Sequence, residues 1–164
     1  MDDFLLRIGT MDLPRTASAA LLLTLAAGAQ CNTVTFANYA TTCAYAGQHS
    51  AISGTFDSRT CRLTVAFTVS RTCCNTLPFV HALLLGVRPF DPGLPHPLLV
   101  PGCILAVDPV VVLGIARSTA PSVTFTLPPL PATHLFAQGV TDYFTTVGMT
   151  HELQTSDGLR IDVR

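Results

Sequence analysis

Eleven of the twelve prolines in this chain fall between Pro78 and Pro131. Proline lacks an amide hydrogen, and its ring collides with the preceding helical turn. Each one costs a helix interior about 3 kcal/mol. Recurring this often through the middle of the chain, they forbid long helices and leave room only for short strands. Between Pro89 and Pro101 five prolines stand in thirteen residues, and that stretch reads as loop.

The residues between the prolines have strand character. Cys61, Leu63, Val65, Phe67 and Val69 alternate with Arg62, Thr64, Ala66, Thr68 and Ser70. Period two marks a strand with one face buried. Ala51–Phe56 precedes it across Asp57-Ser58-Arg59, which predicts a hairpin. Thr33–Tyr39 reads as a first strand, and Cys43–Ser50 as a loop. Phe79–Val87 is apolar on both faces, as in a central covered strand. Cys103–Val107, Val110–Ile115, Val123–Leu127 and Leu135–Val140 follow, then Tyr143–Met149 as a further strand or a short excursion. Ser156-Asp157-Gly158 reads as a turn. Leu159, Ile161 and Val163 alternate with Arg160 and Asp162 in a last strand. The expectation is an all-β fold: one antiparallel, jelly-roll-like β-sandwich of eight to nine strands.

The N-terminus reads as an address. Ala17–Ala27 (ASAALLLTLAA) is too short to span a bilayer. Arg15 precedes it and Ala27-Gly28-Ala29 follows, which is the order of a secretory signal peptide. Residues 1–29 are therefore assigned as leader, with Met11 as an alternative start. Residues 30–164 form the exported domain, in which no other apolar run approaches membrane length. Six cysteines follow the leader: Cys31, Cys43, Cys61, Cys73, Cys74 and Cys103. An even count behind such a leader predicts three disulfides. A strand at Thr33–Tyr39 carries Cys31 away from Cys43, so that pair is disfavoured. Adjacent Cys73 and Cys74 point to opposite sides of an extended chain. Cys43–Cys61 is the favoured bridge, with Cys31 and Cys103 taking the vicinal pair.

Three segments carry a family resemblance. Leu99–Pro109 (LVPGCILAVDP), Phe125–Gln138 (FTLPPLPATHLFAQ) and Ser156–Val163 (SDGLRIDV) resemble a group of small secreted β-sandwich proteins abundant in planctomycete-type bacteria. Pro101-Gly102-Cys103, Phe136-Ala137-Gln138 and Ser156 with Gly158-Leu159 match its pattern. Ala132-Thr133-His134 departs from it, standing where that group has an apolar glycine turn. The resemblance implies an exported β-sandwich and supplies no catalytic residue.

Composition excludes some functions. Charged residues are 12% of the chain, against about 25% in ordinary soluble domains. There is no lysine, and the net charge is −1. Neither a nucleic-acid footprint nor a basic patch for anionic lipid is present. No G-x-S-x-G or H-E-x-x-H occurs, and oxidised cysteines are no nucleophiles. Asp57, Asp91, Asp108, Asp142, Glu152, Asp157 and Asp162 are the acids after the leader, and they read as turn or solvated-face residues. His49, His81, His96, His134 and His151 are scattered and suggest no metal site. His81 shares a strand face with Phe79, Leu83 and Leu85, as a hydrogen-bonded core histidine would. Gln138 reads as a buried amide. His151-Glu152 reads as a solvated loop pair, and no calcium loop is present. No catalytic, metal or cofactor residue is assigned.

Two features could meet a ligand. Tyr143, beside Asp142, is the one candidate for a sugar platform, weighed against a ring packed on the core. Leu94–Val100 (LPHPLLV) is a patch for a partner where exposed and is expected half-buried. The sequence names no reaction. The expectation is a non-enzymatic structural or interaction domain, secreted or at the cell surface, meeting a protein or glycan partner. A carbohydrate-binding module is the alternative and a secreted hydrolase the third.

Overall fold

A computed structural model describes residues 31–41, 43, 50–69, 76–145 and 150–164. The assigned leader, Tyr45, His49, Cys73 and Cys74 lie outside them. The described residues contain no helix and form ten strands. They are β1 (Val34–Ala40), β2 (Ile52–Asp57), β3 (Arg62–Phe67), β4 (Thr76–Gly86), β5 (Arg88–Leu94), β6 (Leu105–Asp108), β7 (Val111–Ile115), β8 (Ser122–Thr126), β9 (Thr133–Thr145) and β10 (Thr150–Val163). All ladders are antiparallel. The all-β antiparallel sandwich expected from the sequence is the fold.

A five-stranded sheet ordered β1-β10-β9-β4-β7 is central. On one face lies the three-stranded sheet β2-β3-β8, and the second face carries the segment leading into the β5-β6 pair. The first interface is the apolar core. Leu63, Val65 and Phe67 of β3 meet Leu83, Ala137, Leu159, Ile161 and Val163. Leu63, Val65, Leu83 and Ile161 are fully buried, and burial of each such side chain contributes about 1.5–3 kcal/mol. At Gly139 the two sheets approach closely: a Cβ there would fall 2.5 Å from the Phe67 ring. Any side chain at that position would collide with the Phe67 ring.

Three sequence expectations are corrected. Pro89–Pro101 is not all loop, because Arg88–Leu94 forms β5. β5 pairs with β6 alone, so prolines whose missing N–H faces away from that ladder cost nothing. The pairing is broken between Pro89 and Leu94, where the chain bulges. β5 brings the count to ten. Ser156-Asp157-Gly158 is not a turn but a bulge inside the fourteen-residue β10. Thr155 pairs with Val140 and Gly158 with Gln138, so β10 holds one extra residue there. One extra residue exchanges the faces of everything beyond it. Leu159, Ile161 and Val163 therefore reach the apolar core, while Thr155 faces the other way. β9 is also longer than expected, joining Leu135–Val140 to Tyr143 without a break.

The third correction is the disulfide pairing. The bridges are Cys31–Cys61, with Cα atoms 5.2 Å apart, and Cys43–Cys103, at 4.2 Å. β1 does separate Cys31 from Cys43, as its length requires. The β2-β3 hairpin turns at the Cys31 end of β1, so Cys61 meets Cys31 and not Cys43. Cys61 closes that turn in the left-handed region, with φ 53°. Cys43 is carried to the far end of β1, where it bridges Cys103 on the second face.

Candidate functional site

The second face of the central sheet is built on hydrogen bonds. Gln138 on β9 is fully buried. Its Oε1 accepts the amide of Ala106 at 2.9 Å, and its Nε2 donates to the carbonyls of Ile104 at 3.0 Å and Ser156 at 3.1 Å. This is the buried amide expected at that position. Thr155 Oγ1 also donates to the Ile104 carbonyl. The Ser156 hydroxyl accepts the Gly139 amide at 2.8 Å, replacing the ladder partner that the bulge removes. Tyr39 on β1 crosses Gly158, where a Cβ would lie 2.6 Å from its ring. Its hydroxyl donates to the Ala106 carbonyl at 2.6 Å, and burial pushes its pKa up to about 12. The Val100 amide donates to the Leu153 carbonyl at 3.0 Å. The segment from Leu99 to Asp108 is thus tied at Val100, Ile104 and Ala106 to β1, β9 and β10.

The residues singled out in the sequence fall around this frame. His81 is fully buried on the apolar face. Its Nε2 donates to the Ser118 carbonyl at 2.9 Å, which leaves Nδ1 to accept from Thr141 Oγ1 at 3.1 Å. Burial holds its pKa below the ordinary histidine value. Tyr143 is 1% exposed. Its ring has no open face for a sugar and packs in the interior, the bland role weighed beside the platform. Asp142 is paired with His151, Nδ1 to Oδ2 2.9 Å, and the Phe144 ring leans on that imidazole. His134 pairs with Asp162, which also takes Arg160 Nε at 3.0 Å. The His134 hydrogen bond, with Arg160 beside it, holds the Asp162 carboxyl below its usual range. His134 and His151 therefore sit at opposite ends of the β9-β10 ladder, each oriented by a carboxylate. Among the described residues no three metal-ligating side chains come together.

Leu94–Val100 divides. Leu94 and Leu98 are exposed, at 45% and 65%, while Val100 is buried with Cys43 and Cys103 and Leu99 packs against them.

One surface had no sequence signal as a unit. The outer face of β2-β3-β8 sets Thr55, Thr64 and Thr124 side by side, with Asp57, Arg62 and Thr126 in the next row. Thr64 and Thr124 share a hydrogen bond of 2.8 Å between their hydroxyls. Thr55, Asp57, Arg62, Thr64 and Thr124 line a shallow basin of about 310 Å³. That volume is at the lower end of small-molecule sites, about 300–1,000 Å³. The alternation of β3 announced an outward Arg62 and Thr64. What they stand beside depends on the register of three strands distant in sequence.

No protein-family model, curated protein or solved structure matches this chain.

Proposed function

We propose that this chain is a non-enzymatic interaction domain of the extracellular space or cell surface. The observation that carries the reading is the pair of disulfides. Cys31–Cys61 ties the start of β1 to the β2-β3 hairpin, and Cys43–Cys103 ties its far end to the second-face segment. Such bridges persist in oxidising compartments and are rare where thiols are kept reduced. The leader-like residues 1–29 and the resemblance of Pro101-Gly102-Cys103 and Phe136-Ala137-Gln138 to secreted β-sandwich proteins support the same reading. A domain stapled at both ends of its first strand suits a role that requires persistence outside the cell.

The carbohydrate-binding module is the second reading. The basin on the outer face of β2-β3-β8 favours it, because hydroxyl, carboxylate and guanidinium groups converge there.

Expression of the full chain in an export-competent host tests the first reading, with N-terminal sequencing and thiol titration of the product. The expected product lies outside the cytoplasm, begins at Gln30 and carries no thiol at Cys31, Cys43, Cys61 or Cys103. An uncleaved, reduced chain retained in the cytoplasm would contradict it.

A further inference from the structure

The outer face of β2-β3-β8 has no covering layer among the described residues, and its chemistry is specific. Every side chain lining the basin is polar. Arg62 and Asp57 are directly opposite across the β2-β3 ladder, yet no ion pair joins them. The hairpin turn engages the carboxylate instead: Asp57 Oδ1 accepts the Arg59 amide at 2.9 Å, and Oδ2 accepts the Thr60 hydroxyl at 2.7 Å. The Thr60 hydroxyl and the Arg59 amide, with the Arg62 charge across the ladder, hold the Asp57 carboxyl below its usual range, and it is ionised at neutral pH. The ion pairs among the described residues involve His134, His151 and Arg160, and none involves Arg62. Arg62 therefore presents a guanidinium that no carboxylate grips directly, with the Asp57 charge acting on it across the ladder, and it is flanked by the Thr55, Thr64, Thr124 and Thr126 hydroxyls. Within the lining Arg62 balances Asp57, one guanidinium against one carboxylate, and Arg59 in the adjoining turn adds one further positive charge.

A planar guanidinium is matched in geometry by a planar carboxylate, which it grips through two parallel hydrogen bonds. One surplus positive charge fits one carboxylate per ligand unit. Three threonine hydroxyls, which both donate and accept, and one ionised carboxylate, which only accepts, suit a ligand rich in hydroxyl groups. An acidic peptide also carries carboxylates. Peptide recognition, however, draws on pockets for side chains, and no apolar side chain lines this basin.

We propose that this face binds acidic polysaccharide, with a uronate carboxylate on Arg62 and sugar hydroxyls on Asp57, Thr55, Thr64 and Thr124. The proposal rests on the extracellular interaction reading and names the ligand class for it. Lacking an aromatic platform, the site holds a single sugar weakly. A polymer gains by presenting many units, as linked binding events raise the apparent affinity.

Affinity electrophoresis of the exported, oxidised protein through gels containing polygalacturonate is the test. Parallel gels carry its fully methyl-esterified form and poly-glutamate. The expected result is retardation by polygalacturonate alone, weakened roughly tenfold or more in Arg62→Ala, because a charge-assisted pair is lost. Arg88→Ala, on β5 away from this face, keeps the retardation. Far-ultraviolet circular dichroism checks that both variants retain the β fold. Equal retardation by poly-glutamate, equal retardation of Arg62→Ala, or none by polygalacturonate would overturn the proposal. Each of those results leaves the exported domain standing, whereas a failure of export removes that reading first.

Discussion

The two faces of the central sheet are held by different physics. Toward β2-β3-β8, Leu63, Val65, Leu83, Leu159 and Ile161 interdigitate, and the stabilisation scales with apolar area. Toward the Leu99–Asp108 segment, Gln138, Thr155 and Tyr39 each answer a named backbone group, and beside them Ser156 answers the Gly139 amide of β9. Apolar packing tolerates exchange of one hydrocarbon for another of like volume. A buried polar network does not, because each lost partner leaves a desolvated group unanswered. The first face explains why the sandwich forms. The second explains how a proline-rich segment with little pairing of its own is held in one place.

The Cys43–Cys103 bridge gives the largest way to disturb that contrast. It closes a separation of 60 residues onto the second face. Its loss in Cys43→Ser with Cys103→Ser should cost about 4 kcal/mol in urea unfolding. Removing Cys31–Cys61, which spans 30 residues, should cost about 0.6 kcal/mol less on loop-closure grounds. Next comes Gln138→Leu, which is close in volume, leaves the Ala106 amide without its side-chain acceptor and takes one donor each from the Ile104 and Ser156 carbonyls. At about 1–3 kcal/mol for the unanswered amide, with the two weakened carbonyls adding to it, a loss of about 3 kcal/mol is expected from urea midpoints. Leu83→Met on the apolar face should cost less than about 1.5 kcal/mol by the same measurement.

The smallest effects are pH-dependent, and they separate the faces by window. His81, on the apolar face, has its pKa lowered in the fold. Between its folded and unfolded values the unfolded chain binds more protons, so stability rises with pH there. The His81 contribution is complete above the ordinary value of 6.5 and is lost as pH falls through the folded value. Asp162 also has a lowered pKa. Its contribution is present above the ordinary 3.8 and is lost only as pH falls through its own folded value. Thermal melts from pH 7 to pH 3 should show a first decline below about 6.5, absent in His81→Gln. A second should follow below about 3.8, reduced in Asp162→Asn.

The legible parts of the fold are those where one face is buried and the other wet. Cys61–Val69 and Leu159–Val163 alternate for that reason, and strands run through both, over Arg62–Phe67 in the first. Phe79–Val87 does not alternate, but its bracketing prolines limited it to strand length. What stayed hidden depends on long-range pairing. Arg88–Leu94 resembles a loop because its prolines suit only a strand paired on one side. Ser156-Asp157-Gly158 has turn composition, yet the Ser156 hydroxyl and the bare Gly158 serve a bulge beneath Tyr39. The cysteine pairing required knowing at which end of β1 the hairpin turns. In the candidate site, outward Arg62 and Thr64 could be read from β3 alone. Their neighbours Thr55 and Thr124 come from β2 and β8, and only the register places them together. Tyr143, an attractive ring in sequence, sits on the inward parity of β9.

The second face is secured bond by bond, the first by area. Urea unfolding of the oxidised protein, with Gln138→Leu and Leu83→Met measured side by side, tests this most directly. Gln138→Leu should lose at least about twice the free energy lost by Leu83→Met, with unchanged denaturant slopes. Equal losses, or a Gln138→Leu protein as stable as the parent, would contradict it.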